Sequence, residues 1–179
     1  MPQRIGIFAG TFDPVHHGHI AFAKAAIKLC HLDKVVFLAE PNPRGKVGVT
    51  SVAQRVAMLQ LAVRHDPALE VLRLPDHQFT VAKTLPKLRQ RYNNAQLVML
   101  FGSDVAATLH LWADADTLLA QTELAVGFRE GVAPLLSVRA TIIPTAHAHV
   151  AASHIRQGAS NEVPAGVWQY IKEHGLYQV

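Results

Sequence analysis

Ile5-Gly6-Ile7-Phe8-Ala9 runs directly into Gly10-Thr11-Phe12-Asp13-Pro14-Val15-His16-His17-Gly18-His19. The first five residues are a short apolar run that reads as a buried strand. Beyond the polar turn, residues 20–30 are rich in alanine and set Ile20, Ala23 and Ile27 at helical spacing. Strand, turn and helix therefore follow one another here. Such a junction turns backbone N–H groups and the positive end of a helix dipole toward anything bound in front of it, which suits phosphate. Gly10 and Gly18 permit close approach to the backbone. His16 and His19 stand three apart at the helix mouth, so one turn brings both rings to the same side, where they can donate to phosphate oxygens. Asp13, His16, His17 and His19 are also of the types that hold Zn or Ni. Glycines flanking a helix start are explained by phosphate and not by metal, so no metal site of the protein's own is expected.

The surrounding chain fits a soluble, compact protein. Its 179 residues suffice for one domain (1–179) with a sizeable core; 50% are hydrophobic and 17% charged, which excludes a disordered chain. A formal charge of +4 favours anionic ligands. The basic residues are scattered and not interleaved with aromatics, so nucleic acid is not an expected partner. Cys30, the single cysteine, has no partner for a disulfide within the chain and reads as a small buried hydrophobe of a cytoplasmic protein. Neither a signal peptide nor an apolar run of membrane-spanning length is seen, so no membrane is expected. Oligomeric state is not written in these features.

Outward from the first junction, strands and helices alternate. Residues 34–39 form an apolar β-rich run, followed by a loop of Pro, Gly and basic residues over 40–49 that carries Arg44 and Lys46. Thr50 or Ser51 caps a helix with Val52, Val56, Leu59 and Val63 along one face. A third strand is expected at 69–74. A helix over 80–92 follows, in which Pro86 either kinks the helix or sits in its first turn. Residues 97–101 are continuously apolar and open into Gly102-Ser103-Asp104, as a central parallel strand does. Short helices at 105–111 and 116–121, strands at 124–128 and 141–143, and helices at 153–157 and 164–174 complete the series. This alternation predicts a doubly wound, Rossmann-like α/β fold: a parallel sheet with helices on both faces and ligands at the carboxyl ends of its strands. The Gly10–His19 turn and Gly102–Asp104 lie at two such ends.

The spelling Gly-Thr-Phe-Asp-Pro-Val-His-His-Gly-His resembles the first signature of the His-x-Gly-His nucleotidyltransferase superfamily, and most closely its bacterial nicotinate-nucleotide adenylyltransferases. The likeness continues along the chain. Gln54-Arg55-Val56-Ala57-Met58-Leu59 looks like the family's Arg-x-x-Met-Leu helix, and Gly102-Ser103-Asp104 with Trp112 keeps its Gly-x-Asp and Trp spacing. Val167-Trp168-Gln169-Tyr170-Ile171 and Leu176-Tyr177 look like its ending. The second signature, usually Ile-Ser-Ser-Thr-x-Ile-Arg, reads Val150-Ala151-Ala152-Ser153-His154-Ile155-Arg156. The last hydroxyl and the arginine are kept, and two serines are replaced by Ala151 and Ala152.

What the resemblance implies is adenylyl transfer from ATP to a mononucleotide, nicotinate mononucleotide first, without a covalent enzyme intermediate. His16, His19 and Arg156 would be catalytic. Gly10, Thr11, Phe12, Gly18, Gly102, Asp104, Ser153 and Arg156 would bind ATP, with Asp104 on ribose hydroxyls or capping a helix. Mg²⁺ would arrive on the phosphates. Arg44, Lys46, Thr80 and Trp112 would meet the acceptor, although Trp112 also suits a core position. The acceptor half departs most from the family. Its Pro-Pro-His-Lys loop reads Pro41-Asn42-Pro43-Arg44, its Ser-Tyr-Thr reads Phe79-Thr80-Val81, and its Arg-Pro-Gly reads Arg129-Glu130-Gly131. Nicotinamide mononucleotide or phosphopantetheine as acceptor, or nucleotide binding without catalysis, are the alternative functions.

Overall fold

The computed structural model describes residues 2–43, 45–73, 76–128, 139–145 and 150–179. Arg44, Leu74 and the Arg129-Glu130-Gly131 segment lie outside these residues. Among the described residues, the strands are β1 (Arg4–Gly10), β2 (Lys34–Ala39), β3 (Leu69–Arg73), β4 (Gln96–Gly102), β5 (Glu123–Phe128) and β6 (Thr141–Pro144). The helices are α1 (His17–Leu29), α2 (Val52–Val63), α3 (Val81–Arg91), α4 (Ser103–Thr108), α5 (Ala115–Gln121), α6 (Ala152–Arg156) and α7 (Ala165–Glu173).

All six strands join one parallel sheet in the order β3-β2-β1-β4-β5-β6. The expected doubly wound α/β fold is thus the observed one. Alternate side chains serve two cores, as the period of a strand requires. Ile5, Ile7, Val36, Leu38, Leu97, Met99 and Phe101 face α3, α4 and α5 through Leu85, Leu88, Ala106 and Leu118. Phe8, Val35, Phe37, Val98 and Leu100 face α1, α2, α6 and α7 through Phe22, Ala26, Met58, Leu59, Ile155 and Val167. Burial on both faces explains why the central strands read as unbroken apolar runs. Gly6 points into the second of these cores, where a Cβ would stand 2.8 Å from Leu32 and 2.9 Å from Val35. Cys30 is buried at the C-cap of α1, and that burial pushes its thiol above the usual value.

Element ends differ from the expectation where local chemistry outweighs periodicity. α1 begins at His17, three residues ahead of its first periodic apolar residue, because its opening turn faces the site and not the core. Ser51, not Thr50, caps α2: its Oγ accepts from Gln54 N–H at 3.3 Å and donates to Gln54 Oε1 at 2.9 Å. Pro86 sits in the interior of α3 and not in the first turn, so the helix runs on past a position that cannot donate. The helix expected at 105–111 is α4 followed by a 3-10 turn, Leu109–Leu111.

Candidate active site

β1 and β4 lie side by side although β2 and β3 separate them in the chain. The connection leaving β1 goes to β2 on one flank, and β4 is added on the opposite flank. A crevice opens above such a reversal at the carboxyl ends of the strands. Gly10 ends β1 and Gly102 ends β4 there.

The loop from Thr11 to His16 is held from several directions. Phe12 has φ +51°, a left-handed conformation that an aromatic residue adopts only under constraint. Its buried ring supplies that constraint, packing against Phe8 at 5.2 Å, Phe37 at 5.4 Å and His19 at 5.1 Å. The ring also fills the space over Gly10, where a Cβ would stand 2.9 Å from it. Gly10 thus makes room for Phe12 as well as for any ligand. Asp13 is buried and turns both carboxylate oxygens inward: Oδ1 accepts from Tyr177 Oη at 2.7 Å and Oδ2 from Thr50 N–H at 3.3 Å. The Asp13 carbonyl accepts from Arg156 Nη1 at 2.7 Å.

Arg55 is fully buried in α2 and knits this loop to the next one. Its Nε donates to the Thr50 carbonyl at 2.8 Å and Nη1 to the Thr11 carbonyl at 2.6 Å. Its Nη2 donates to the carbonyls of Glu40 at 2.8 Å and Pro41 at 3.0 Å. Lys46 Nζ donates to Thr11 Oγ1 at 3.0 Å, which puts this lysine beside the Gly10–His19 turn.

The two histidine rings meet with centroids 3.7 Å apart. His16 N–H donates to His19 Nδ1 at 3.2 Å. Burial holds the His19 imidazole well below its usual pKa, with His16 and Lys46 acting in the same direction. Burial likewise pushes His16 down to about 4; His17 adds to the shift and Glu162 opposes it. Both rings are therefore neutral at pH 7. A neutral His19 that accepts at Nδ1 carries its proton on Nε2 and presents a donor there. His16 Nδ1 is buried and without a hydrogen-bond partner among the described residues, an arrangement that costs about 1–3 kcal/mol until a partner arrives. The helix mouth is less open than expected. His17 N–H donates to the Glu162 carbonyl at 3.0 Å, and the amides of His19 and Ile20 both turn back to the His16 carbonyl. Of the first four amides, this leaves that of Gly18 without such a partner among the described residues.

The remaining candidates lie in three further places. Asp104 is exposed in the first turn of α4, but Gly102 is the N-cap, so Asp104 does not cap the helix. A Cβ on Gly102 would stand 2.6 Å from Asp104 Oδ1. Ser153 lies in α6, half-buried, one turn from Arg156. The N-cap of α6 is Ala151, which offers no side-chain oxygen. Thr80 and Trp112 come together through Phe79: the Trp112 ring lies 6.2 Å from Phe79 and 5.6 Å from Phe101. Trp112 is half-buried, so its ring packs on the core and keeps part of its surface open. Thr80 caps α3, its Oγ1 accepting from Lys83 N–H at 3.3 Å and its own N–H donating to Thr84 Oγ1 at 3.1 Å. The Phe79 amide is taken by Glu40 Oε1 at 3.1 Å. Among the described residues no three His, Cys, Asp or Glu side chains are gathered to hold a metal, and no helix is long and apolar enough to cross a membrane.

Reading the residues alone missed Arg55, Glu40 and Tyr177 as parts of this assembly. Only Arg55 carried a signal: Met58 and Leu59, three and four residues on, put it on the buried face of an amphipathic helix.

Comparison with known proteins agrees with this geometry. The cytidylyltransferase-like family pattern matches residues 7–161. A protein of Thermomicrobium roseum named "Probable nicotinate-nucleotide adenylyltransferase" is 34% identical over 98% of this chain and 92% of its own. A Thermus thermophilus protein of the same name is 33% identical, over 98% of this chain and all of its own. In fold, the chain matches Plasmodium falciparum nicotinic acid mononucleotide adenylyltransferase complexed with NaAD. The TM-score is 0.78 at 15% identity, covering 98% of this chain and 97% of that one. Matched by family pattern over most of its length and by relatives from end to end, the chain belongs to the cytidylyltransferase-like family, in the branch of the nicotinate-nucleotide adenylyltransferases.

Proposed function

We propose that residues 1–179 act as one nucleotidyltransferase domain. It joins the AMP moiety of ATP to nicotinate mononucleotide, giving the deamido-NAD dinucleotide and pyrophosphate, as a soluble cytoplasmic enzyme of NAD biosynthesis. The observation that carries this reading is the pairing of His16 and His19 at 3.7 Å on a loop that Lys46 and Arg156 grip at Thr11 and Asp13. Two neutral imidazoles, an ammonium and a guanidinium converge on one small region. That set favours a polyanion with charge developing in a reaction.

An oxygen of the acceptor's 5′-phosphate attacks the α-phosphorus of ATP, a new P–O bond forms, and the bond to the β-phosphate oxygen breaks. No protein nucleophile is needed; such a transfer depends on alignment and on stabilising charge. His19 Nε2–H and His16 donate to the reacting phosphate oxygens, helped by the amides of Thr11, Phe12 and Gly18. Arg156 and Ser153 hold the departing β and γ phosphates, and Lys46 adds positive charge beside Thr11. Gly102 and Asp104 bind the ATP ribose, and Thr80, Trp112 and Arg44 bind the acceptor. Mg²⁺, carried by the triphosphate, would neutralise charge on the leaving group. The donor set fits an ion carried by the nucleotide, because Asp13 spends both carboxylate oxygens inside the protein and Glu40 accepts from Phe79 N–H.

The test is to supply ATP labelled at the α-phosphate together with nicotinate mononucleotide and Mg²⁺. Label is expected in the dinucleotide and none in pyrophosphate. Label released as AMP without dinucleotide would contradict the proposal.

A further inference from the structure

We propose that Tyr177 is a positioning residue for the transfer: through Asp13 it sets the loop after β1 and the Arg156 guanidinium in the arrangement that acts on phosphate. The inference rests on the phosphate-binding reading given above.

Three segments far apart in sequence close a ring here. The Tyr177 hydroxyl donates to Asp13 Oδ1 at 2.7 Å, across 164 positions of chain. The next residue, Gln178, donates its N–H to the Arg156 carbonyl at 3.1 Å. Arg156 Nη1 in turn donates to the Asp13 carbonyl at 2.7 Å. Each member therefore fixes the next one. The Asp13 side chain is buried, and its other oxygen is taken by the Thr50 amide, so without the tyrosine hydroxyl Oδ1 would lose the donor it has in the protein interior. Thr50 also hydrogen-bonds the Tyr177 side chain, which adds the start of α2 to the same ring.

Two backbone features are shaped to this ring. Tyr177 has φ +65°, a left-handed conformation that a bulky residue holds only when its surroundings impose it. Gly158, just beyond α6, has φ +72°, and a Cβ there would stand 2.7 Å from the Gln178 carbonyl oxygen. The passage of the segment carrying Tyr177 over α6 thus depends on a glycine. Asp13 sits between Phe12 and His16 in the loop that carries the reacting groups, so a slack Asp13 releases the Arg156 anchor and loosens the frame of the two histidines together.

The experiment compares native protein, Tyr177→Phe, Gly158→Ala, Arg156→Ala and Arg156→Ala/Tyr177→Phe, by kcat and by KM for ATP and nicotinate mononucleotide, well below each thermal midpoint. Tyr177→Phe keeps the ring and removes the donor. It is expected to lower kcat about tenfold, as loss of one hydrogen bond to a buried charged group does, with KM for the acceptor within about twofold. Gly158→Ala, which keeps the tyrosine but displaces the segment that delivers its hydroxyl, is also expected to lower kcat. In the Arg156→Ala background Tyr177→Phe is expected to have less than half of its effect on log kcat. Native kcat in Tyr177→Phe, or an undiminished effect in the Arg156→Ala background, overturns the proposal. If Tyr177→Phe does not fold, Gly158→Ala carries the test alone, and native kcat there overturns it. Absence of transfer by the native protein would defeat the functional reading itself and is read separately, before any variant.

Discussion

His16 and His19 show what burial does to an ordinary side chain. The two rings lie against each other, and His19 meets the rings of Phe8 and Phe12 as well; burial keeps both imidazoles neutral beside a site proposed for a highly charged ligand. Two outcomes follow. Replacing either ring by Ala is expected to lower turnover by about 10²–10³, because each acts on charge that is greatest in the transition state; unchanged turnover in both variants would refute the assignment. The second outcome is a pH dependence of stability. His16 titrates near 6.5 when unfolded and near 4 when folded, so between those values the unfolded chain binds more protons. Stability is therefore full above about pH 6.5 and falls as the pH drops toward 4, by up to about 3 kcal/mol from this ring. His19 adds in the same direction. Urea unfolding of native protein and His16→Ala between pH 7.5 and 4.5 should show a shallower decline in the variant.

Elements set these residues in place through their ends and not through their middles. α2 begins on the Ser51 cap and within one turn delivers Arg55 to four carbonyls on two loops. Lysine cannot reproduce that fork. Arg55→Lys is expected to lower stability by about 2–4 kcal/mol, read from denaturant unfolding, because several buried carbonyls lose their donor. α3 begins on Thr80, whose side-chain oxygen accepts from Lys83 N–H and whose proton is the donor it can offer a ligand. Thr80→Val should cost about 1 kcal/mol through loss of the cap. The same variant should narrow any preference for a carboxylate over an amide on the acceptor ring, measured as a ratio of kcat/KM values. Strand and helix identity was legible at this scale because apolar runs bounded by turns are local: the second strand, Lys34–Ala39, coincides with its expected limits. The start of α1 and the roles of Arg55 and Tyr177 were not, since each depends on partners distant in the chain. A single arginine among apolar residues looks like a solvated position unless its spacing to Met58 and Leu59 is followed.

For the molecule as a whole, alternation of strands and helices predicted a doubly wound sheet, but the order β3-β2-β1-β4-β5-β6 comes from pairings that no local pattern records. That order is what brings the end of β1 beside the end of β4, and so brings Gly10 and Gly102 to one crevice. The pairing of His16 and His19, on which the proposed phosphate side rests, was legible in the Gly10–His19 turn. The acceptor side was legible only in part. Arg44 lies outside the described residues, Lys46 is hydrogen-bonded to Thr11 beside the histidines, and the donors near Thr80 are largely spent inside the protein: the Phe79 amide on Glu40 and the Thr80 amide on Thr84. A pocket with few free donors recognises a carboxylate by a modest margin, about 1.5–3 kcal/mol for each hydrogen bond made to it.

The most direct test is to follow pyrophosphate release from ATP and Mg²⁺ with nicotinate mononucleotide, nicotinamide mononucleotide and phosphopantetheine supplied in turn. Release is expected to depend on the acceptor, with nicotinate mononucleotide giving the highest kcat/KM and nicotinamide mononucleotide a lower but measurable value. Equal or reversed preference between the two mononucleotides, faster transfer to phosphopantetheine, or release with none of the three would contradict the account.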